Sequence, residues 1–397
     1  MTSSILHTPY PIPQSLYIHI PFCKRKCNYC DFVSYAGKEE LIDEYVEALC
    51  NEINSPPCQS ETNPPPSLFK RGGKEGGEFS TIYFGGGTPT LLKPEHYERL
   101  LGFLKMIIIF KKETEISMES NPGTINLDYL KEIRSLGINR LSIGVQSFND
   151  VHLKTLGRIH NSKEAVQAYK DARAAGFENM NLDLMYALPG QTLEEWRTDL
   201  RQALSLNPEH LSIYNLQVEE NTPFWNIFKT YIPQTSYPLP NEETELAMYE
   251  FTIKTLTDAG YHHYEISNFA KPGFECKHNI NYWKNGNYIG FGAAAHSHLN
   301  GKRWANPDSL EEYIGSGSVV RNVEHPTSID SSRATDRQDS IFLGLRLLEG
   351  LPKAKFAGFE KEIGELMRDG LLEEKNSNYK LTRQGLFLGN LVFEKFV

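Results

Sequence analysis

Long apolar runs are missing from this chain of 397 residues. The most hydrophobic short stretch, 106–110, is flanked by Lys105 and Lys111 and falls far short of the roughly 20 residues that cross a bilayer. It reads as a buried helix end, and no membrane span is predicted. No signal-peptide pattern opens the chain, so a cytoplasmic location is expected. Cations are in the minority: 41 Lys and Arg against 50 Asp and Glu leave a net charge of −9. That balance excludes a broad nucleic-acid surface, because phosphate binding depends on clustered Lys and Arg. Lys24, Arg25 and Lys26 form the local exception, read either as a solvated loop or as help for an anionic group nearby. Cysteine is scarce too: six residues, unevenly spaced, do not make the disulfide framework of a secreted domain.

Three of those six stand together. Cys23, Cys27 and Cys30 form C-x3-C-x2-C directly after the apolar run 16–20. Structural zinc closes its tetrahedron with four protein ligands, and an ordinary [4Fe–4S] cluster takes four cysteines. Cys50 falls in a helical pattern, Cys58 in a polar insert and Cys276 far downstream, so no fourth ligand is in view. Three thiolates on one loop leave a metal position open to something other than protein. The end of the first strand of an α/β domain is where such folds place their active sites.

β-rich runs at 16–20, 81–84, 115–119, 140–145, 181–185 and 211–216 alternate with helical patterns, which predicts βα units around a parallel sheet. Gly137, Gly176 and Gly260 each follow a helical pattern and precede an apolar residue, the usual helix stop. A long helix is predicted over 241–256. The segment 55–79 is crowded with Pro and Gly and reads as a mobile, disordered insert, leaving Cys58 as an exposed thiol. Near the end, helices over 336–348 and 359–368 precede a hairpin (371–374 and 379–381) and a final helix. This order resembles a winged-helix module, and without a basic face it reads as a packing or lid unit.

Polar residues at strand ends are the remaining signal. Gly85-Gly86-Gly87-Thr88-Pro89 follows a strand directly, and such glycines allow close backbone approach to a ligand. Glu119, Gln146, Arg158 and Asp183 stand where an apolar sheet has no use for them. Carboxylates suit hydroxyl and amine partners, and Arg grips a carboxylate bidentately.

C-x3-C-x2-C after Tyr-Ile-His-Ile-Pro-Phe resembles the radical S-adenosylmethionine (SAM) superfamily in its HemN-like branch. The resemblance implies a partial, open (β/α)6 barrel with a [4Fe–4S] cluster on Cys23, Cys27 and Cys30. It further implies SAM chelating the open iron, with the reduced cluster splitting the sulfonium to a 5′-deoxyadenosyl radical. By the same resemblance Tyr17, Tyr29, Gly86, Gly87, Thr88, Glu119, Gln146, Arg158 and Asp183 match positions that contact SAM. The two tyrosines serve equally well as packing aromatics.

Two departures separate the chain from the coproporphyrinogen dehydrogenase pattern. Phe32 stands where that pattern has a fourth cysteine, and only sixteen residues precede Tyr17. Downstream, His278-Asn279-x-x-Tyr282-Trp283 resembles the signature of the haem-chaperone branch. Imidazole is a competent axial ligand to haem iron, so His278 becomes the expected haem contact. Cys276 is a weaker second ligand. His296 and His298 read as structural hydrogen-bonding groups. Three segments follow: 1–240 as the radical SAM core, 241–325 as the extension with the His278 motif, and 326–397 as the winged-helix-like module. The resemblance implies a haem chaperone delivering haem to apoproteins, respiratory haem proteins among them, with self-association at least to a homodimer. The rivals are an oxygen-independent coproporphyrinogen III dehydrogenase and an iron–sulfur redox protein without SAM chemistry.

Overall fold

The computed structural model describes residues 15–54, 79–228, 238–315 and 333–396. Strands β1 (Ser15–Ile20), β2 (Thr81–Gly86), β3 (Glu115–Ser120), β4 (Arg140–Gln146), β5 (Asn179–Tyr186) and β6 (His210–Asn215) occupy the six places expected from the sequence. Five more join them: β7 (His262–Glu265), β8 (Asn268–Ala270), β9 (Tyr288–Phe291), β10 (His296–Leu299) and β11 (Lys302–Ala305). All belong to one sheet in the order β11-β10-β9-β1-β2-β3-β4-β5-β6-β8-β7. From β9 to β6 the neighbours are parallel, and the flanks are antiparallel. The parallel array therefore exceeds the six strands expected. Its additional member, β9, pairs with β1 from far along the chain, at Ser15↔Tyr288.

Side-chain alternation explains why these strands curl around a lumen. On β4, Leu141, Ile143 and Val145 are buried on one face, while Arg140, Ser142, Gly144 and Gln146 line an internal cavity from the other. The apolar face is covered by helices, among them Ile42–Asn54, Pro94–Ile107, Leu127–Ser135, Ser162–Ala174 and Leu193–Leu206. Asn126, Asn161 and Thr192 cap three of these, each accepting a backbone N–H in the first turn. The predicted stops at Gly137, Gly176 and Gly260 all adopt positive φ.

One hydrophobic core runs through the barrel and continues into Met248, Tyr249, Leu256, Leu310 and Tyr313. The boundary expected at residue 240 thus does not divide the packing: the extension completes the barrel's own core. Residues 341–396 gather a second core around Ile341, Leu366, Val392 and Phe396. The helices and hairpin expected there are present, although the first helix, Arg333–Gly344, stops before 348. Asn376 and Ser377 both adopt positive φ, the backbone of a tight hairpin turn. This unit docks through Arg346, whose guanidinium lies 4.4 Å from the Trp283 ring centroid, and through Asn285 Nδ2, which donates to Asp336 Oδ1 at 2.9 Å.

Two local expectations change. Within 106–110, Ile107 and Ile108 are buried, but Met106 is 58% exposed, because the helix turns it away from the sheet. Phe79, placed at the end of the insert, is a fully buried core residue. The rest of that insert, Cys58 included, lies outside the described residues.

Candidate functional site

The cysteine loop is held from both sides. Cys23 ends the short strand Phe22–Cys23, which pairs in parallel with Tyr35–Ala36. Asn28 donates from its backbone to Leu156 O at 3.0 Å and from Nδ2 to Thr155 O at 2.8 Å, while Phe224 N donates to Asn28 O at 2.9 Å. The three thiols face a cavity of about 350 Å³ in the mouth and lumen of the barrel. Burial pushes the Cys23 thiol up, and the Cys30 thiol up to about 11. Arg158 offsets this locally. Its Nη1 donates to Cys27 Sγ at 3.4 Å and its Nη2 to Gly144 O at 2.6 Å. Burial opposes the guanidinium's charge, but Tyr29 and Cys27 beside it hold the group protonated.

The donor set fits a cubane cluster. No trio of His, Cys, Asp or Glu among the described residues closes on a point the size of one ion, as mononuclear zinc requires. A cubane takes one thiolate at each of three irons, and three thiols spread along one anchored loop meet that demand.

The glycine turn packs tightly against β1 and the start of this loop. A Cβ at Gly86, whose φ is +111°, would lie 2.5 Å from the His19 ring, and one at Gly87 would lie 2.6 Å from Phe22 O. Gly87 N donates to Ile20 O at 2.9 Å and Thr88 N to Phe22 O at 2.7 Å. The Thr88 hydroxyl sits 3.6 Å from Cys23 Sγ. These three residues thus brace the first thiol as well as line the cavity.

Deeper in, two carboxylates face each other across the lumen. Glu119 accepts from the Tyr83 hydroxyl at 2.9 Å and from Gly86 N at 3.1 Å. Burial, reinforced by the charge of Asp183, pushes its pKa up to about 7. Asp183 accepts from Ser142 Oγ at 2.9 Å and Asn181 Nδ2 at 2.7 Å. Burial raises its pKa as well, and those donors only partly oppose the shift. Two buried acids whose pKa values are raised suit a cationic or hydroxyl-rich ligand. Gln146 lies above them with φ +66°, at a register shift between β4 and β5. Non-glycine residues in that region usually persist where function requires them.

Of the residues singled out by sequence, Cys23, Cys27, Cys30, Tyr29, Gly86, Gly87, Thr88, Glu119, Gln146, Arg158 and Asp183 line this one cavity. Tyr17 and His278 lie beneath it. Tyr17 stacks on Tyr83, with ring centroids 6.4 Å apart, and its hydroxyl is 2.9 Å from His19 Nδ1. His278 sits on the helix Lys277–Trp283, 1% exposed. Thr81 Oγ1 gives its proton to Ser15 Oγ, so the 2.8 Å contact with His278 Nδ1 is a donation from the ring. His278 Nε2 then accepts from the Tyr282 hydroxyl at 2.9 Å. Burial and the nearby Arg140 charge lower the ring's pKa to about 3, and it stacks on Tyr83 at 4.9 Å. The expected haem contact is, in this arrangement, a neutral imidazole with both nitrogens engaged in the floor of the barrel. Cys276 is buried there too, its Sγ 3.7 Å from Glu115 Oε1. His298 is buried and faces Gly286 O at 3.1 Å, whereas His296, at the start of β10, is exposed.

Sequence reasoning missed Arg140, Ser142, Asn181, Ser212, Tyr214 and Asn279 in the cavity wall. Polar residues spaced by two in otherwise apolar strands, Arg140-x-Ser142 and Asn181-x-Asp183, were the available signal. Ser142, Asn181, Asp183 and Ser212 form one hydrogen-bonded network. Asn181 bridges Asp183, Ser142 and Ser212, and its Oδ1 lies 2.6 Å from His210 Nδ1. His210 Nε2 reaches Tyr264 Oη at 2.7 Å, which accepts from Cys276 N at 3.3 Å. A wider outer groove of about 760 Å³, between helices Ser162–Ala174 and Leu193–Leu206, contains none of the predicted site residues.

The profile of the radical SAM superfamily matches residues 17–203, and that of the HemN C-terminal domain matches residues 332–388. The heme chaperone HemW of Bacillus subtilis is 37% identical over 396 residues, covering 97% of this chain and 99% of the relative. HemW of Escherichia coli is 38% identical over 406 residues, covering 97% and 98%. Among solved structures, the E. coli coproporphyrinogen III oxidase HemN, described as a radical SAM enzyme, superposes with a TM-score of 0.78 at 25% identity, covering 98% of this chain and 91% of that one. Membership implies a [4Fe–4S] cluster and SAM as cofactors. Thiol loop, glycine turn and luminal acids, read with these likenesses, place the chain in the radical SAM superfamily, in its HemN/HemW branch.

Proposed function

We propose that this protein is a haem chaperone that carries a [4Fe–4S] cluster, binds SAM and passes haem to apoproteins. The observation that carries this reading is likeness to chaperones named HemW over 97% of the chain. Phe32, where the dehydrogenase pattern has its fourth cysteine, supports it: the side chain is 63% exposed and offers no ligand. Cys23, Cys27 and Cys30 would hold three irons. The cluster supplies the redox chemistry and the site for SAM. The chain's own work is to orient and shield: Arg158 sets its charge beside Cys27, Thr88 and Gly87 brace Cys23, and Glu119 and Asp183 offer acceptors to an amine and to ribose hydroxyls. Tyr29 and Gln146 complete the wall. Tyr17 and His278 support it from below.

Haem-accepting apoproteins are the partners of this reading, respiratory haem proteins among them, with a homodimer as the simplest assembly. No helix among the described residues is long and apolar enough to cross a membrane, and the reading places the protein in the cytoplasm. Residues 326–397 serve as a packing or lid module on the extension 241–325.

The test is an anaerobic haem titration of the cluster-reconstituted protein, followed at the Soret band, with transfer to a haem-free apoprotein. Stoichiometric binding and transfer are expected. Absence of both would return the dehydrogenase to first place, to be assayed by coproporphyrinogen turnover.

A further inference from the structure

On the seam where the C-terminal module meets the rest of the chain, four buried polar atoms have no hydrogen-bond partner among the described residues: Trp283 Nε1, Arg346 Nε, His298 Nε2 and Glu265 Oε2. Arg346 stacks on Trp283, His298 Nε2 stands 3.6 Å from Asp336 Oδ1, and Glu265 pairs across the seam with Leu347. Buried polar groups are ordinarily satisfied, so a seam with four orphans is weaker than the contacts across it suggest.

The contacts that do cross it converge on the helix Lys277–Trp283. Asn285, two residues past the helix end, donates from Nδ2 to Asp336 Oδ1 at 2.9 Å and to Ser340 Oγ at 3.1 Å. Its Oδ1 accepts from Arg303 Nη2 at 2.5 Å, and Arg303 Nε donates to Asp339 Oδ2 at 3.0 Å. Arg303 also faces the Tyr288 hydroxyl. The Tyr288 ring packs edge-on against Tyr282 at 4.6 Å, and Tyr282 is the donor that occupies His278 Nε2. Side chains in sequence thus connect the module to the imidazole. A groove of about 520 Å³, lined by Ser15, Thr81, Lys277, Asn281, Lys284 and Asn285, lies against the same helix. The module is anchored separately: Ile266 N donates to Arg346 O at 3.2 Å, Leu348 N donates to Tyr264 O at 3.1 Å, and Leu386 and Phe387 pack on the barrel core.

We propose that the C-terminal module is a clasp on the His278 helix, and that closure of the clasp and ligation of haem iron by His278 exclude each other. Opening at Asp336 and Asp339 releases Asn285 and Arg303, lets Tyr288 and Tyr282 turn away, and frees Nε2 toward the groove. The neutral imidazole then supplies its lone pair to iron, and Tyr282 keeps its proton. The anchor at 346–348 holds the module to the chain meanwhile. The inference rests on the chaperone reading and adds its control. By reciprocity, the factor that the clasp removes from haem affinity is the factor by which haem opens the clasp.

The cluster-reconstituted full chain is titrated anaerobically with haem, followed at the Soret band. The double variant Asn285→Gly/Asp339→Ala removes both sides of the clasp, and glycine keeps the positive φ of residue 285. It should bind haem about tenfold more tightly than wild type, the scale of an ordinary coupling between sites. Adding His278→Ala should abolish that gain. Mere loss of structure lowers affinity or leaves it unchanged, so a gain that depends on His278 separates a clasp from a packing contact. Hydrogen exchange on wild type needs no variant: haem should speed exchange across Arg333–Gly344 while 346–348 stays protected. Unchanged or weaker haem binding by the double variant with its cluster intact would overturn the clasp. A gain that survives His278→Ala would overturn it too, as would haem slowing exchange in Arg333–Gly344. Failure of wild type to bind haem at all would instead overturn the chaperone reading.

Discussion

Glu119→Gln changes one luminal carboxylate into its neutral isostere, and the structure states what should follow. Glu119 has an ordinary value of 4.5 raised to about 7 in the fold, mainly by burial and then by Asp183. A carboxyl whose folded value is raised contributes stability that is complete below pH 4.5 and lost as pH climbs through 7. Integrating between these values, the SAM-free protein loses about 2.5 kcal/mol of stability from pH 5 to pH 8 through this group alone. Gln at 119 does not titrate; its carboxamide oxygen can still accept from Gly86 N while its amide donates to the Tyr83 oxygen, whose own proton turns into the cavity that Tyr83 lines. The variant should therefore match wild type near pH 5 and exceed it by about 2 kcal/mol at pH 8, measured by urea unfolding of cluster-reconstituted, SAM-free protein. SAM affinity should move the other way: wild type tightens as pH rises through 7, and the variant is weaker and flat. Parallel stability curves for the two proteins from pH 5 to pH 8 would refute the raised pKa. Undiminished SAM affinity in the variant would refute the role of Glu119 as an acceptor.

Replacing any one of Cys23, Cys27 or Cys30 by Ala should abolish the cluster's visible absorption after reconstitution; a retained cluster would remove that residue from the ligand set. Asp183→Asn should weaken SAM binding about tenfold or more while the cluster survives, and loss of the cluster would make Asp183 a structural residue. His278→Ala removes two buried hydrogen bonds and a stacked ring, a loss of about 3 kcal/mol in urea unfolding. Unchanged stability would refute the engaged imidazole.

Signals that live within a few residues were legible. C-x3-C-x2-C places its ligands on one loop whatever the rest of the chain does, and short β-rich runs located six strands to within two residues. The glycine stops at Gly137, Gly176 and Gly260 are likewise local, because backbone C=O groups at helix ends are satisfied by immediate neighbours. Glu119 and Asp183 were visible as polar residues in apolar strands, but Arg140 and Asn181, which obey the same rule, were passed over.

What the amino-acid sequence determined by itself is therefore the chemistry available: three thiols, a glycine turn beside them and acids at strand ends, in a branch of one superfamily. The tertiary structure decided where that chemistry points. β9 pairs with β1 across more than half the chain, and no local pattern encodes which edge a short apolar strand will choose. The His278 motif promised an imidazole among aromatics. Only the folded barrel brings Thr81 to one nitrogen and Tyr282 to the other, because a buried polar ring must find partners wherever the fold sets it down. The same packing that turns His278 inward leaves Phe32 outside, at the rim of the cluster loop.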